Sequence, residues 1–323
     1  MRRILITGGS GFIGSHVTER ICAAYPEAEV VVLDKMTYAA DVHHILPLIA
    51  NDRVQLVVGD VCDYDVCRRV IKGCDVVIHA AAESHVDRSF QNSMVFTRSN
   101  TLGTHTIMET CRELKVQRII HISTDEVYGE MLDGSCDESQ ILNPTNPYSA
   151  SKAAAEMIVN GYRHSFKIPV LMVRANNIYG IRQYPEKLIP HTIMSLITGR
   201  KIQLHGNGAN IRHYLAAKDF AHALVMLIEC GESNEIYNIG SPDEFTNNDV
   251  ARMVCKEYGA DFDTSIEYVT DRPFNDRRYS ISWEKITKLG WRPQHSLPVD
   301  LAGIVTWYKE NAVHICRRAG IAQ

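Results

Sequence analysis

The sequence has 323 residues, of which 45% are hydrophobic and 22% charged, a balance that excludes a disordered chain and allows one large domain or two intimately joined ones. Its net charge of −4 shows no basic excess, so neither nucleic acid nor an anionic membrane is expected as a partner. No apolar run approaches the roughly 20 residues of a membrane span, and the nine cysteines offer no C-x-x-C pair and no zinc-ligand spacing with histidine, so reduced thiols, no metal and a cytoplasmic protein are expected.

The first segment reads as strand, glycine turn and helix. An apolar run over 3–7 leads into Gly8-Gly9-Ser10-Gly11-Phe12-Ile13-Gly14, and a helical pattern follows over 15–24. Glycines at 8, 11 and 14 permit a tight turn, close approach of backbone to a pyrophosphate and packing of the helix on a sheet, while the helix N-terminus attracts the phosphates. A second strand over 29–33 ends at Asp34, at the distance from Gly14 where a dinucleotide fold sets a carboxylate on a ribose. Asp34 suits two free ribose hydroxyls and repels a 2′-phosphate, which favours NAD over NADP; Lys35 softens that preference. Gly8, Gly11, Phe12, Ile13, Gly14, Asp34 and Lys35 are thus the expected cofactor contacts of this segment.

Three more strand and helix units follow. The run over 53–58 ends at Gly59-Asp60-Val61, where Asp60 and Val61 can meet the adenine. The run over 75–79 ends in Ala80-Ala81-Ala82, small enough for a cofactor to lie on the backbone. The run over 117–122 delivers Ser123-Thr124-Asp125-Glu126-Val127-Tyr128 to a strand end. Short apolar strands alternating with helices predict an α/β fold, a Rossmann-type doubly wound parallel sheet. Helical stretches over about 92–113 and 147–165 would cover one side of it. A sixth strand is expected over 170–173, then helices near 191–199, 219–230 and 247–258 and a strand over 235–239. We expect an NAD-binding domain over 1–175 and a smaller substrate-binding lobe over 176–323, with interleaved segments.

Two features carry chemistry. Adjacent carboxylates such as Asp125 and Glu126 raise each other's pKa when enclosed, so one tends to stay protonated beside an ionised partner, as an elimination requires. Consecutive strand residues face opposite ways, so the pair has to lie past the strand in a turn. Tyr148 and Lys152, spaced Y-x-x-x-K after Pro147, fall on one helix face, where an ammonium would lower the phenol's pKa and make Tyr148 a base. Thr124 can hold the same substrate hydroxyl.

Thr7-Gly8-Gly9-Ser10-Gly11-Phe12-Ile13-Gly14, the alanine run at 80–82 and Tyr148-x-x-x-Lys152 resemble the extended short-chain dehydrogenases/reductases that act on nucleotide sugars. Ala82-Glu83-Ser84-His85-Val86-Asp87-Arg88-Ser89, the run from Ser123 to Gly129, Asn146-Pro147-Tyr148-Ser149-Ala150-Ser151-Lys152-Ala153 and Pro185-Glu186-Lys187-Leu188-Ile189-Pro190 narrow the resemblance to the NDP-glucose 4,6-dehydratases, over essentially the full length. That resemblance implies a homodimer contact through helices near 92–113 and 147–165, bound NAD, and UDP- or dTDP-glucose as substrate. It implies C4 oxidation by Tyr148 with Lys152 and Thr124, C5 deprotonation by Glu126, and protonation of the departing C6 hydroxyl by Asp125. It points to Asn177, Lys187, Arg212, Asn238, Arg272 and Tyr279 for the diphosphate, with Ser84 and Leu188 also at the substrate. Asp271-Arg272-Pro273-Phe274-Asn275-Asp276-Arg277-Arg278-Tyr279 lacks the Gly-His of the bacterial pattern and resembles the UDP-glucose enzymes of plants and large viruses, although dTDP enzymes of animals also carry Asn-Asp here. An NDP-sugar 4-epimerase and a catalytically silent NAD-binding regulator are the alternatives at this point.

Overall fold

The computed structural model describes residues 1–322. Six strands, β1 (Arg3–Thr7), β2 (Glu29–Asp34), β3 (Val54–Val58), β4 (Val76–His79), β5 (Arg118–Thr124) and β6 (Val170–Ala175), follow one another along the chain. β7 (Asn177–Tyr179), β8 (Ile202–His205) and β9 (Ile211–Ala216) intervene before β10 (Ile236–Ile239) returns beside β6. The resulting seven-stranded sheet runs β10-β6-β5-β4-β1-β2-β3 with every pairing parallel. Strand order reverses at β1, between β2 and β4. That is the switch point outside which open α/β sheets bind ligands.

The apolar strands form because both of their faces are buried. Ile4, Ile6, Val30 and Val32 pack on one face with Phe220 and Leu224 of the helix Ala217–Cys230. The alternate residues Leu5, Val31 and Leu33 pack on the other with Ile107 and Met108 of the helix Gly103–Glu113 and Val159 of the helix Pro147–Phe166. This is the period of two expected of a sheet covered on both sides. Residues beyond 175 therefore serve the main sheet through β10 and Ala217–Cys230, and also build smaller layers. In those, β9 pairs with β7 and with β11 (Glu244–Thr246), β8 pairs with β12 (Ile266–Val269), and the helix Leu297–Ala319 contributes Leu301, Ile304 and Tyr308 to a separate core.

The helix expected over 92–113 runs from Ser93 to Glu113 as one rod whose winding widens to a π-helical turn over Thr97–Leu102, and a separate short helix, Val86–Gln91, precedes it. Asn100 lies in that turn, and its side chain accepts from the Glu83 N–H at 2.8 Å and donates to the Glu83 carbonyl at 2.9 Å and to Ser151 Oγ at 2.8 Å. A widened turn turns this amide inward, and such turns recur at functional sites.

A buried ion pair ties the helix of Tyr148 to the sheet. Arg174 on β6 and Glu156 are both buried, with Nη2 to Oε2 at 2.6 Å, and Tyr128 adds its hydroxyl to Arg174 at 2.7 Å. Glu156→Ala strands the guanidinium and should cost about 3–5 kcal/mol of stability in denaturant unfolding. A loss under ~1 kcal/mol, the value of an exposed pair, would contradict it. All nine cysteines are free, and among the described residues no helix is long and apolar enough to cross a membrane.

Candidate active site

The glycine turn sits at the switch point and its shape forbids side chains. A Cβ on Gly14 would lie 1.9 Å from the Gly8 carbonyl oxygen, and one on Gly8, where φ is +71°, would lie 2.8 Å from Ala81 Cα. The helix Phe12–Ala24 starts at Gly11 with no side-chain cap, and Gly11, Phe12, Ile13 and Gly14 line a cleft of about 630 Å3. Its first N–H groups are therefore available to an anion. Asp34 closes β2 and accepts from the Ser10 N–H at 3.0 Å and the Met36 N–H at 2.9 Å, while burial pushes its pKa up. Lys35 pairs with Asp60 at 2.8 Å. Lys35, Asp60, Val61, Ala80, Ala81 and Ala82 all line the same cleft.

Across from the glycine turn, β5 ends at Thr124 and a 3-10 turn, Asp125–Tyr128, takes over, so the two carboxylates leave the strand as the pleat requires. Thr124 Oγ1 accepts from the Glu126 N–H at 3.3 Å and donates to Asp125 Oδ1 at 3.3 Å. Asn176 Nδ2 donates to the other Asp125 oxygen, Oδ2, at 2.9 Å. Asp125 is 3% exposed, and its pKa is pushed up to about 7. Burial is the main cause and the Glu126 charge adds to it, while the Asn176 hydrogen bond, the Arg212 charge and the Thr124 hydroxyl oppose it. Thr124 and Glu126 line the cleft, with Asp125 packed behind them.

Asn146 links this turn to Tyr148. Its Oδ1 caps the helix Pro147–Phe166 by accepting from the Ser149 N–H at 2.9 Å, and its Nδ2 donates to Glu126 Oε2 at 3.2 Å. Tyr148 and Lys152 line the cleft. The expected effect of Lys152 on the phenol is absent from the protein alone. Lys152 Nζ donates to the Ile122 carbonyl at 2.6 Å, and burial lowers its pKa to about 8. Burial raises Tyr148 well above its ordinary value and Glu126 raises it further, with the polar Thr124 hydroxyl in opposition.

Ser84, Asn177, Lys187, Leu188, Arg212, Arg272 and Tyr279 line the same cleft. Lys187 Nζ donates to the Ser84 carbonyl at 2.8 Å. Arg212 stacks 4.6 Å over the Tyr279 ring and donates to Asn275 Oδ1 at 3.2 Å. Arg272 meets Asp87 with both sides of its fork, at 2.6 and 3.0 Å. Asn238 does not belong with them. It is fully buried, accepts from the Tyr128 hydroxyl at 2.8 Å and donates to the Cys136 and Ser282 carbonyls at 3.1 and 3.0 Å, so it holds β10 to the neighbouring loops away from the cleft. Asn100, Asn146 and Asn176, each bonded to a part of the site, were not singled out from the sequence. The only signal for Asn146 and Asn176 was their adjacency to Pro147-Tyr148 and to Asn177.

The profile of the GDP-mannose 4,6 dehydratase family matches residues 5–300. This chain belongs to that family. Within it, the chain is 42% identical over 317 residues to the trifunctional UDP-glucose 4,6-dehydratase/UDP-4-keto-6-deoxy-D-glucose 3,5-epimerase/UDP-4-keto-L-rhamnose-reductase RHM2 of Arabidopsis thaliana, covering 96% of this chain and 47% of that protein. The chain thus spans about half the length of the trifunctional plant relatives it matches. It is 40% identical over 317 residues to the dTDP-D-glucose 4,6-dehydratase of Mus musculus, covering 96% of this chain and 89% of that one. Among solved structures, DesIV, a dTDP-glucose 4,6-dehydratase from Streptomyces venezuelae with NAD and dTDP bound, is similar with a TM-score of 0.94 at 41% identity, covering 97% of this chain and 98% of that chain. A UDP-glucose 4-epimerase from Thermotoga maritima shares the fold with a TM-score of 0.87 at 25% identity, covering 96% of this chain and 99% of that chain. The fold of the GDP-mannose 4,6 dehydratase family thus reaches beyond dehydratases, and the chemistry has to be read from the turn after β5.

Proposed function

We propose that this chain is an NAD-dependent lyase, an NDP-glucose 4,6-dehydratase that converts UDP-glucose or dTDP-glucose to the NDP-4-keto-6-deoxyglucose. The observation that carries the reading is the meeting of Thr124, Glu126 and Tyr148 in one cleft with the glycine turn, with Asp125 held directly behind them by Thr124. NAD fits the other half of that cleft: the Gly8 and Gly14 cradle leaves no room for a Cβ, the helix start is uncapped, and the buried Asp34 carboxylate stands at the end of β2 where a ribose would lie.

Held against the glycine turn, Asp34, Tyr148 and Lys152, NAD would supply the hydride acceptor for C4 of the glucose and the hydride donor for C6. Tyr148 takes the C4 hydroxyl proton while Thr124 polarises that oxygen. The resulting ketone acidifies the C5 proton, which Glu126, oriented by Asn146, removes. Asp125, the carboxylic acid of the pair, protonates the departing C6 oxygen and water leaves. Glu126 then returns its proton to C5. Asn177, Lys187, Arg212, Arg272 and Tyr279 bind the diphosphate side, where a guanidinium fork matches phosphate oxygens. Arg272 has to exchange Asp87 for phosphate to do so.

The pH dependence follows from Asp125. Its pKa is raised to about 7, so it keeps its proton to higher pH than an ordinary carboxyl, and the acid form is lost as pH rises through about 7. The rate of dehydration should fall on that alkaline side, and Asp125→Asn should both slow elimination and abolish the limb. A limb that persists in Asp125→Asn would assign it to another group.

A 4-epimerase needs no acid and base aimed at C5 and C6, and a silent regulator needs no intact Thr124, Tyr148 and Lys152. Incubated with UDP-glucose or dTDP-glucose, the protein should release a product lighter by one water with no net NADH. A galactose epimer would make it an epimerase, and bound NAD without turnover a regulator. The same assay run in competition gives the preferred base. The first plant relatives favour UDP.

The enzyme acts as a cytoplasmic homodimer in this reading. Met94, Val95 and Leu102 on the segments before Gly103, with Met157 on the helix Pro147–Phe166, are exposed apolar side chains that a second copy would cover. Sedimentation should give twice the 36.4 kDa chain mass.

A further inference from the structure

A second cavity, of about 190 Å3, lies between the loop that follows β2 and the helix Leu297–Ala319, and Ala39, Gln183 and Tyr184 line both it and the cleft. It is lined by a cluster that no step of the proposed reaction uses. Asp41 is buried, and its Oδ1 accepts from the His43 N–H at 3.0 Å and from His43 Nδ1 at 2.9 Å. Its Oδ2 accepts from His314 Nε2 at 2.6 Å and from Arg318 Nη1 at 2.8 Å. His44 Nε2 faces the same oxygen from 4.0 Å. No local spacing reveals the set, because His314 lies 273 residues from Asp41 along the chain.

We propose that this cluster binds a transition-metal dication of the zinc kind, with Asp41, His43 and His314 as ligands and His44 as the nearest further nitrogen. One carboxylate oxygen, His43 Nδ1 and His314 Nε2 lie within 4.8 Å of one another, close enough to converge on one ion at the ~2.0–2.2 Å that such ligands take. The ion would replace the protons these groups now share. Neither proton has to leave the protein: the His43 and His314 rings are 62% and 38% exposed, so each can carry its proton on the other ring nitrogen. His44 Nδ1 is bonded to the Ser10 carbonyl at 3.2 Å, and a carbonyl only accepts, so Nδ1 carries the proton. Burial lowers the pKa of this imidazole to about 4, which leaves Nε2 as a lone pair facing the Asp41 carboxylate. Two acceptors that face each other are satisfied by a cation between them. An imidazole whose other N–H is held by a backbone carbonyl is also the usual form of a metal-binding histidine.

The donor set selects the ion. Arg318 offsets part of the Asp41 charge, so imidazole nitrogen rather than carboxylate charge carries the affinity. Nitrogen suits Zn²⁺, Ni²⁺ and Cu²⁺, whereas Mg²⁺ and Ca²⁺ need oxygen. Asp41, His43, His44 and His314 do not line the cleft, so the role is structural. The Ser10 carbonyl of the glycine turn accepts from the Asp41 N–H at 3.0 Å as well as from His44, and Arg318 donates to the Tyr38 carbonyl at 3.2 Å. An ion on Asp41 and His314 would therefore pin the glycine turn and the cleft wall at Ala39 and Ala40 to the helix Leu297–Ala319.

The full chain, freed of metal with a chelator and titrated with Zn²⁺ alone, should bind one ion per chain, and Mg²⁺ should not compete. Co²⁺ in its place should show the visible absorption of a four- or five-coordinate site. His43→Ala and His314→Ala should each weaken Zn²⁺ binding by at least about 100-fold, since loss of an outer partner alone costs about 10–100-fold. His164→Ala, which removes an exposed histidine of the helix Pro147–Phe166, should bind as the unaltered protein does. Zn²⁺ should raise the melting temperature of the unaltered protein by mass action and leave that of the double variant His43→Ala/His314→Ala where it was. His43 is the more exposed ring, so His43→Ala reads the same site where His314→Ala disturbs its helix. Zn²⁺ that binds no more tightly than Mg²⁺ overturns the site. Zn²⁺ held by the double variant at undiminished affinity overturns it too, and moves the ion to the free thiols.

Discussion

Glu126→Gln should complete the oxidation of C4 and then stall, so that mixing with nucleotide sugar leaves a lasting reduced-nicotinamide absorbance on the enzyme. Tyr148→Phe should give no such signal, because the oxidation itself fails. Each change removes a positioned proton-transfer group, a loss of about 10²–10⁴ in the step it serves. The contrast is diagnostic because the two side chains act on different carbons while sharing one cleft. Glu126 is held by Asn146 Nδ2 at 3.2 Å, and glutamine at this position is isosteric, so packing should survive. Wild-type turnover by Glu126→Gln would refute its role as the C5 base, and a reduced-nicotinamide signal from Tyr148→Phe would remove the phenol from the oxidation.

Gly14→Ala should abolish retention of NAD. The added methyl would sit 1.9 Å from the Gly8 carbonyl oxygen and 2.8 Å from Gly9 Cα, both backbone atoms of the turn. Relief requires moving the turn that presents N–H groups to the pyrophosphate, and ordinary overpacking already costs about 1–3 kcal/mol. At the upper end of that range cofactor affinity falls by at least ~100-fold, which the nucleotide released on denaturing the purified variant would report. Gly161→Ala is the control: it lies in the helix Pro147–Phe166 with no atom within 4 Å of a built Cβ, and should leave NAD content intact. Full NAD occupancy in Gly14→Ala would show that the turn rearranges at little cost.

The legible parts of the sequence were those where local chemistry and tertiary role coincide. Gly8, Gly11, Gly14 and Asp34 announce themselves because a turn, a helix start and a strand end each restrict residue type, and their spacing is fixed by the strand and helix that separate them. Thr124-Asp125-Glu126 was legible as a strand end, and the pleat correctly required a turn. Contacts between distant segments were not legible. Nothing in the local pattern joins Asn176 to Asp125, or Glu156 to Arg174, because those pairs exist only once β5, β6 and the helix Pro147–Phe166 are packed. Asn238 carries the same polar side chain as Asn177, and burial beneath Tyr128 rather than chemistry removes it from the cleft. The Tyr148 and Lys152 spacing placed both on the correct helix face. It could not show that the Ile122 carbonyl claims the ammonium.

The π-helical turn Thr97–Leu102 has a consequence for how insertions and deletions are tolerated. An α-helix advances about 100° per residue, so deleting one residue from this turn to restore regular winding would rotate everything on one side of it relative to the other. Asn100 would swing away from Glu83 and Ser151, and the exposed Leu102 would change direction with respect to it. The extra residue acts as a phase shifter: one continuous rod presents the Asn100 amide to Glu83 on the cleft wall and Met94, Val95 and Leu102 to the outside.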